Sequence, residues 1–233
     1  MELTGKVAVV TGGSRGIGRA IVTELAARGA RVVYSYRDAP APELHGTTAV
    51  RADQADLANL DALFAPVADG FDILVNNAAI NPGAPIVDLT SDEFDRVFTI
   101  NTKFPLFAMR RAATLLRDHG RIVNVSTLNT VIPAPGHSLY CASKGALEQF
   151  TAVAAREFGP RGITVNTVSP GSTETELFHE TNPPEAIAQA TAFTALARIG
   201  QPLDIARVVA FLAGPDSAWI TGQNLRATGG FVI

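Results

Sequence analysis

Three observations predict a doubly wound α/β fold, with a parallel sheet covered by helices on both faces. Short, continuous apolar runs such as residues 7–10, Val-Ala-Val-Val, have the character of strands buried on both sides. The first of these runs into a glycine-rich turn and then a helical pattern that is closed by Gly29. Strand-like and helix-like stretches then alternate to the end of the chain. At 233 residues and 47% hydrophobic, the chain is long enough to bury a full core. Neither repeats nor a linker interrupt it, so residues 1–233 are expected to form a single domain.

The strands are expected at residues 7–10, 31–35, 47–51, 72–75, 121–125, 163–168 and 223–227. The stretch between the second and third strands, Ala-Pro-Ala-Pro-Glu-Leu-His-Gly, is too short and proline-rich for a crossover helix. That crossover is therefore read as abbreviated. A helix is expected over 55–65, a long one from the Ser91-Asp92-Glu93 cap through Asn101, and another over 203–213. Asn101 sits among Phe98, Ile100, Phe104, Leu106 and Phe107, where its low helix propensity marks it as solvent-facing or kept for a polar task. Residues 172–198 are polar, carry Pro183-Pro184, and are helical only in part, which suits a mobile lid over a site.

The chemistry gathers at the strand ends. Strand, glycine-rich turn and helix is the dinucleotide-binding context, in which pyrophosphate sits at a helix N-terminus. Here the turn reads Thr11-Gly12-Gly13-Ser14-Arg15-Gly16-Ile17-Gly18. At the end of the second strand, the acidic residue that would hold ribose hydroxyls is replaced by Tyr36, with Arg37 following. Arg15 and Arg37 together suit a 2′-phosphate, so NADP(H) is preferred, while Asp38 keeps NAD(H) possible. Asp53 and Gln54, just beyond the third strand, are placed for adenine or else form a helix-entry turn. Asn76 and Asn77 end the fourth strand, to tie neighbouring strands or to contact ribose. Ser126 and Thr127 end the fifth, at the carboxyl edge where open α/β sheets place ligands. Tyr140 and Lys144 are four residues apart, on one face if the segment is helical. The ammonium would then lie near the phenol and lower its pKa, making a general acid of a group that ordinarily titrates near ~10.

These residues resemble the short-chain dehydrogenase/reductase family over nearly the whole chain. The resemblance is carried by Thr11-Gly12-x-x-x-Gly16-x-Gly18, Asn76-Asn77-Ala78, Asn101, Tyr140-x-x-x-Lys144, Pro170-Gly171, and the segments Asp204-Ile205-Ala206 and Ile220-Thr221-Gly222-Gln223. The flavour is similar to the ketoacyl-reductase-like branch. It implies a single-domain, Rossmann-type doubly wound parallel sheet of about seven strands flanked by helices. It also implies a catalytic set of Asn101, Thr127, Tyr140 and Lys144. Tyr140 would exchange a proton with the substrate oxygen as hydride moves to or from nicotinamide. Lys144 would hold the nicotinamide ribose, and Asn101 would anchor a water. Thr127 stands where the family has its substrate-orienting Ser, with Ser126 in reserve. The implied cofactor-binding set is Gly12, Ser14, Arg15, Gly16, Ile17, Gly18, Arg37, Asp53, Gln54, Asn77, Ala78, Tyr140, Lys144, Pro170, Gly171 and Thr173, and Thr175 is placed beside the last of these. The sequence departs from the family at Ala79, where a Gly is usual, in the missing crossover helix, and in a short tail after Gly229-Gly230.

The expected activity is NADP-dependent reduction of a ketone, quinone or ketoacyl carbonyl to an alcohol. The alternatives are an NAD-dependent secondary-alcohol dehydrogenase and a non-catalytic nicotinamide-binding regulator. A net charge of −3 argues against nucleic acid or an anionic membrane as partner. The single cysteine, Cys141, excludes a disulfide framework and reads as a packing residue beside Tyr140. The four histidines, His45, His119, His137 and His179, have no metal-site spacing. The expected partner is a small carbonyl or alcohol substrate, with Leu177, Phe178, Thr181 and Phe193 suggesting an apolar, aromatic one. By resemblance, a homodimer or homotetramer forms through the helices that carry Asn101 and Tyr140. The first residues run straight into a strand and no apolar run approaches ~18 residues, so the expected location is cytoplasmic.

Overall fold

The computed structural model describes residues 2–232, apart from the side chain of Thr181. Seven strands form one parallel sheet: β1 (Val7–Val10), β2 (Arg31–Tyr36), β3 (Thr47–Arg51), β4 (Phe71–Asn76), β5 (Leu116–Val125), β6 (Thr164–Pro170) and β7 (Asn224–Ala227). Their order is β3-β2-β1-β4-β5-β6-β7. The chain steps outward from β1 in one direction, returns, and builds β4 to β7 in the other. The reversal between β1 and β4 opens a crevice above their carboxyl ends, where ligands bind in such sheets.

Strand side chains alternate between two cores, as the two-residue period requires. Ala8, Val10, Val32, Tyr34, Ile73 and Val75 face one, together with Ile21, Val22 and Leu25 of α1 (Gly16–Ala27) and Ile205, Ala206 and Val209 of α8 (Pro202–Ala213). Val7, Val9, Val33, Leu74 and Ile122 face the other. That second core is closed by α2 (Asn59–Phe64), α4 (Phe104–Leu115) and α5 (Ser138–Phe158), through Leu63, Phe64, Phe104, Met109 and Leu147. Burial on both faces explains why β1 and β4 read as unbroken apolar runs.

The abbreviated crossover is present as expected: no helix lies between β2 and β3. The helix expected over 55–65 is shorter, because Asp53 and Asp56 accept from the backbone N–H groups of Ala55 and Ala58, and these turns delay helix entry to Asn59. β5 starts at Leu116, earlier than expected, with a break in its register against β4 between Phe71 and Ile73. The long helix through Asn101 is three pieces. α3 (Ser91–Phe98) is capped by Thr90, which accepts from Glu93 N–H at 3.2 Å, and a π-helical turn, Thr99–Lys103, joins it to α4. Residues 172–198 hold two short helices, α6 (Glu176–Thr181) and α7 (Pro184–Phe193). Among the described residues no helix is long and apolar enough to cross a membrane.

Candidate active site

A cleft of about 750 Å³ runs along the carboxyl edge of the sheet. Its floor is the turn between β1 and α1. Gly12 has a φ of +66°, and a Cβ there would meet Ala78 Cβ at 2.7 Å. A Cβ on Gly18 would stand 2.0 Å from the Gly12 carbonyl oxygen. Only glycine lets the turn fold this tightly and leaves its backbone open to a ligand. Arg15, at the start of α1, contributes no side-chain cap, so the first helical N–H groups face the cleft for an anion. Asn77 braces the turn: its Nδ2 donates to the carbonyls of Thr11 at 3.0 Å and Gly12 at 3.2 Å. Thr11 Oγ1 accepts from the N–H groups of Asn77 and Ala78. The neighbouring asparagine has the other role, since Asn76 Nδ2 donates to Asn124 Oδ1 at 2.8 Å and ties β4 to β5. This cradle fits the pyrophosphate of a dinucleotide.

At the far end of the cleft Arg15 and Arg37 both have carboxylate partners. Arg15 meets Glu176 of α6 at 3.1 Å, and Arg37 meets Asp38 at 2.7 Å. Hydrogen bonding to Asp38 raises the Arg37 pKa, and the same contact, reinforced by Arg15 and Arg51, lowers that of Asp38. Arg51 is a residue that sequence reasoning missed. It sits opposite Tyr36 in the β2–β3 register, and its Nε donates to the Arg37 carbonyl at 3.3 Å. Only the pairing of the two strands places it there. Gln54 is 4% exposed and lines the cleft with neither carboxamide atom partnered, while Asp53 accepts from Ala55 N–H in a turn. A buried amide left with both a donor and an acceptor is matched to the edge of a heterocyclic base.

At the opposite end α5 brings Tyr140 and Lys144 onto one face above Thr127. The Tyr140 phenol lies beside the Thr127 side chain, whose Oγ1 accepts from Asn129 N–H at 3.2 Å. Ser126 Oγ turns away and donates to Glu148 at 2.6 Å. Of the two hydroxyls left open, Thr127 is the one beside the phenol, while Ser126 is engaged by Glu148. The phenol does not have the lowered pKa expected of it: burial raises the Tyr140 pKa, and the Thr127 contact offsets part of that. Lys144 Nζ donates to the Val125 carbonyl at 2.7 Å and is itself buried. Burial lowers its pKa to about 8, against an opposing pull from Glu148.

Asn101 is fully buried in the π-helical turn, so it is not solvent-facing. Its Nδ2 donates to Ile80 O at 2.9 Å and Ser143 Oγ at 3.0 Å, while its Oδ1 accepts from Ile80 N–H at 2.9 Å. Both amide protons are used within the protein. Ser14, Gly16, Ile17, Ala78, Pro170, Gly171 and Thr173 all line the cleft, and Thr173 Oγ1 donates to the Gly171 carbonyl at 2.9 Å. Thr175 caps α6 by accepting from Phe178 N–H at 3.1 Å. Leu177 and Phe178 also line the cleft. Phe193 does not: it is 70% exposed and packs against Phe231, with ring centroids 5.9 Å apart. Thr181 lies outside the described side chains. No cluster of potential metal ligands occurs among the described residues.

Residues 12–232 match the family model described as enoyl-(acyl carrier protein) reductase. The chain belongs to the short-chain dehydrogenase/reductase family. It is an NAD(P)-dependent oxidoreductase. Its similarity to a hydroxynaphthalene reductase-like protein, Arp2, from Metarhizium brunneum is 39% identity, covering 99% of this chain and 96% of the relative. Among solved structures, an angucycline C-6 ketoreductase with bound NADP, LanV, superposes with a TM-score of 0.89 at 36% identity, covering 99% of this chain and 96% of that one. A blue fluorescent protein from a metagenomic library, in complex with NADPH, reaches 0.92 at 36% identity over 100% of both chains.

Proposed function

We propose that the enzyme reduces the ketone of an apolar, aromatic substrate to an alcohol with NADPH, and that Tyr140 is the proton donor. The observation that carries this reading is the half-buried Tyr140 phenol, kept protonated by desolvation and set beside Thr127 at the end of a dinucleotide-shaped cleft. The cofactor, when bound, supplies hydride; the rest of the chemistry is the protein's. The Thr127 hydroxyl and the Tyr140 phenol form a pair that would receive the carbonyl oxygen, and the phenol gives that oxygen its proton as negative charge develops there. Lys144, a buried cation one helical turn away, favours the tyrosinate left behind. The apolar bodies of Leu177 and Phe178 on α6 shield the site from water, so the 172–198 segment acts as its lid. The preference for NADPH is supported by Arg15, Arg37 and Arg51, which converge where a 2′-phosphate would replace Glu176 and Asp38 as their partner. The relatives named for aromatic ketones and NADP support the same substrate class and cofactor.

The subunits are expected to associate through α4 and α5, whose Leu106 and Val153 are exposed apolar residues. The function is tested by following loss of reduced-nicotinamide absorbance with NADPH or NADH and a panel of polycyclic aromatic ketones, quinones and ketoacyl thioesters. Turnover of the aromatic ketones with NADPH well above NADH is expected. Tyr140→Phe should lower kcat by about 10²–10⁴-fold while cofactor binding is kept. Undiminished turnover in that variant would remove Tyr140 from the mechanism.

A further inference from the structure

Glu148 lies four residues beyond Lys144 on α5, so the two side chains share a helix face. Its carboxylate is not a solvated surface charge. Oε1 accepts from Ser126 Oγ, at the end of β5, at 2.6 Å, and Ser169 Oγ of β6 stands 3.5 Å away. Ser169 is itself tied to Asn224 of β7 at 2.7 Å. The carboxylate thus sits where α5 crosses the ends of two strands, directly behind the lysine.

Lys144 needs such a neighbour. It is 2% exposed, and its Nζ donates to the neutral Val125 carbonyl of β5. Burial lowers its pKa to about 8, and Glu148 is the one charged group among the described residues that opposes the shift. The other polar side chains beside this part of α5 are the Tyr140 phenol and the Ser126 and Ser169 hydroxyls from the sheet. A lysine that lost its proton would neither stabilise a tyrosinate nor hold a ribose by charge-assisted hydrogen bonds.

We propose that Glu148, held by Ser126, is a positioning residue that keeps Lys144 charged and in register at working pH. This rests on the reading of Tyr140 and Lys144 given above. It also gives Ser126 a task distinct from that of Thr127: one hydroxyl serves the carboxylate behind the lysine, the other serves the phenol in front of it.

The chain has only three lysines, Lys6, Lys103 and Lys144, so the protonation of Lys144 can be observed directly. Protein labelled with ¹³Cε-lysine is titrated by NMR, with Lys6→Arg and Lys103→Arg giving the assignments. In Glu148→Gln, which keeps an acceptor for Ser126 and removes the charge, the Lys144 midpoint should fall by about one pH unit. Glu148→Asp, which keeps the charge, should fall less. The alkaline limb of the kcat–pH profile for ketone reduction should move down with the midpoint, while the KM for substrate at low pH stays within about twofold. If Glu148→Gln does not fold, Ser126→Ala decides, since loosening the carboxylate should lower the midpoint in the same sense. An unmoved Lys144 midpoint in a folded variant overturns the proposal, and so does a uniform loss of kcat with an unshifted limb. If no carbonyl is turned over by the parent enzyme, the reading of its function fails, and the lysine titration still decides the role of Glu148.

Discussion

Asn101 Nδ2 donates to Ser143 Oγ at 3.0 Å, and Ser143 Oγ in turn donates to the Tyr140 carbonyl at 2.8 Å. A residue in the π-helical turn therefore grips the first turn of α5, from which the phenol projects. Thr102 Oγ1 adds a second grip on the Ser143 carbonyl at 3.0 Å. Single-turn π segments often occur at functional sites, and this one turns Asn101 inward toward both α5 and the Ile80 backbone.

Asn101→Ala should therefore lower both stability and kcat. It would leave the half-buried Ile80 N–H and C=O without their partner, at a cost of about 1–3 kcal/mol. The expected drop in Tm is roughly 2–10 °C. Thermal unfolding and steady-state kinetics on the same preparation would check both effects. A fall in kcat without any change in Tm would argue that Asn101 acts directly on the reaction.

The neighbouring hydroxyls of Ser126 and Thr127 should separate cleanly. Thr127→Val removes the partner of the phenol and should reduce kcat by about 10²-fold, whereas Thr127→Ser should keep most of it. Ser126→Ala, whose hydroxyl faces Glu148, should retain the larger part of kcat at neutral pH. Equal losses in the two alanine-size truncations, Ser126→Ala and Thr127→Ala, would contradict this division.

Cofactor choice should track the arginine cluster. Arg15→Ala, Arg37→Ala and Arg51→Ala are each expected to raise the KM for NADPH about tenfold or more and to leave the KM for NADH nearly unchanged. The effect should shrink as salt is added, because Arg15 and Arg37 are more than half exposed. An Arg51→Ala variant with unaltered NADPH affinity would restrict the phosphate site to the first two.

Stability should depend on pH through Lys144. Its folded pKa of about 8 lies below the ordinary 10.5, so between these values the unfolded chain binds more protons than the folded one. Stability gained from this group thus rises with pH across that window. Below it, the buried charge costs about 3 kcal/mol. Lys144→Met should accordingly be inactive yet more stable than the parent at pH 7, with the difference in Tm narrowing toward pH 10. A gap that widened with pH would mean that the lysine is stabilised in the fold.

The sequence by itself determined the sheet and the ends of its strands. Continuous apolar runs such as 7–10 specify burial on both faces, and the spacing of Gly12, Gly16 and Gly18 specifies a turn that no other residue can close. Both are local properties, readable from neighbours in the chain. Tertiary structure decided where each polar group points. Ser126 and Thr127 are adjacent in sequence, and only the placement of α5 over β5 gives one to Glu148 and the other to Tyr140. Arg51 came beside Arg37 through strand register, Phe193 packs on Phe231 instead of lining the cleft, and the Lys144 ammonium found a backbone carbonyl on β5. Hydrogen bonds and desolvation act over a few ångströms between residues far apart in the chain, so side-chain direction and pKa emerge only once the fold has brought them together.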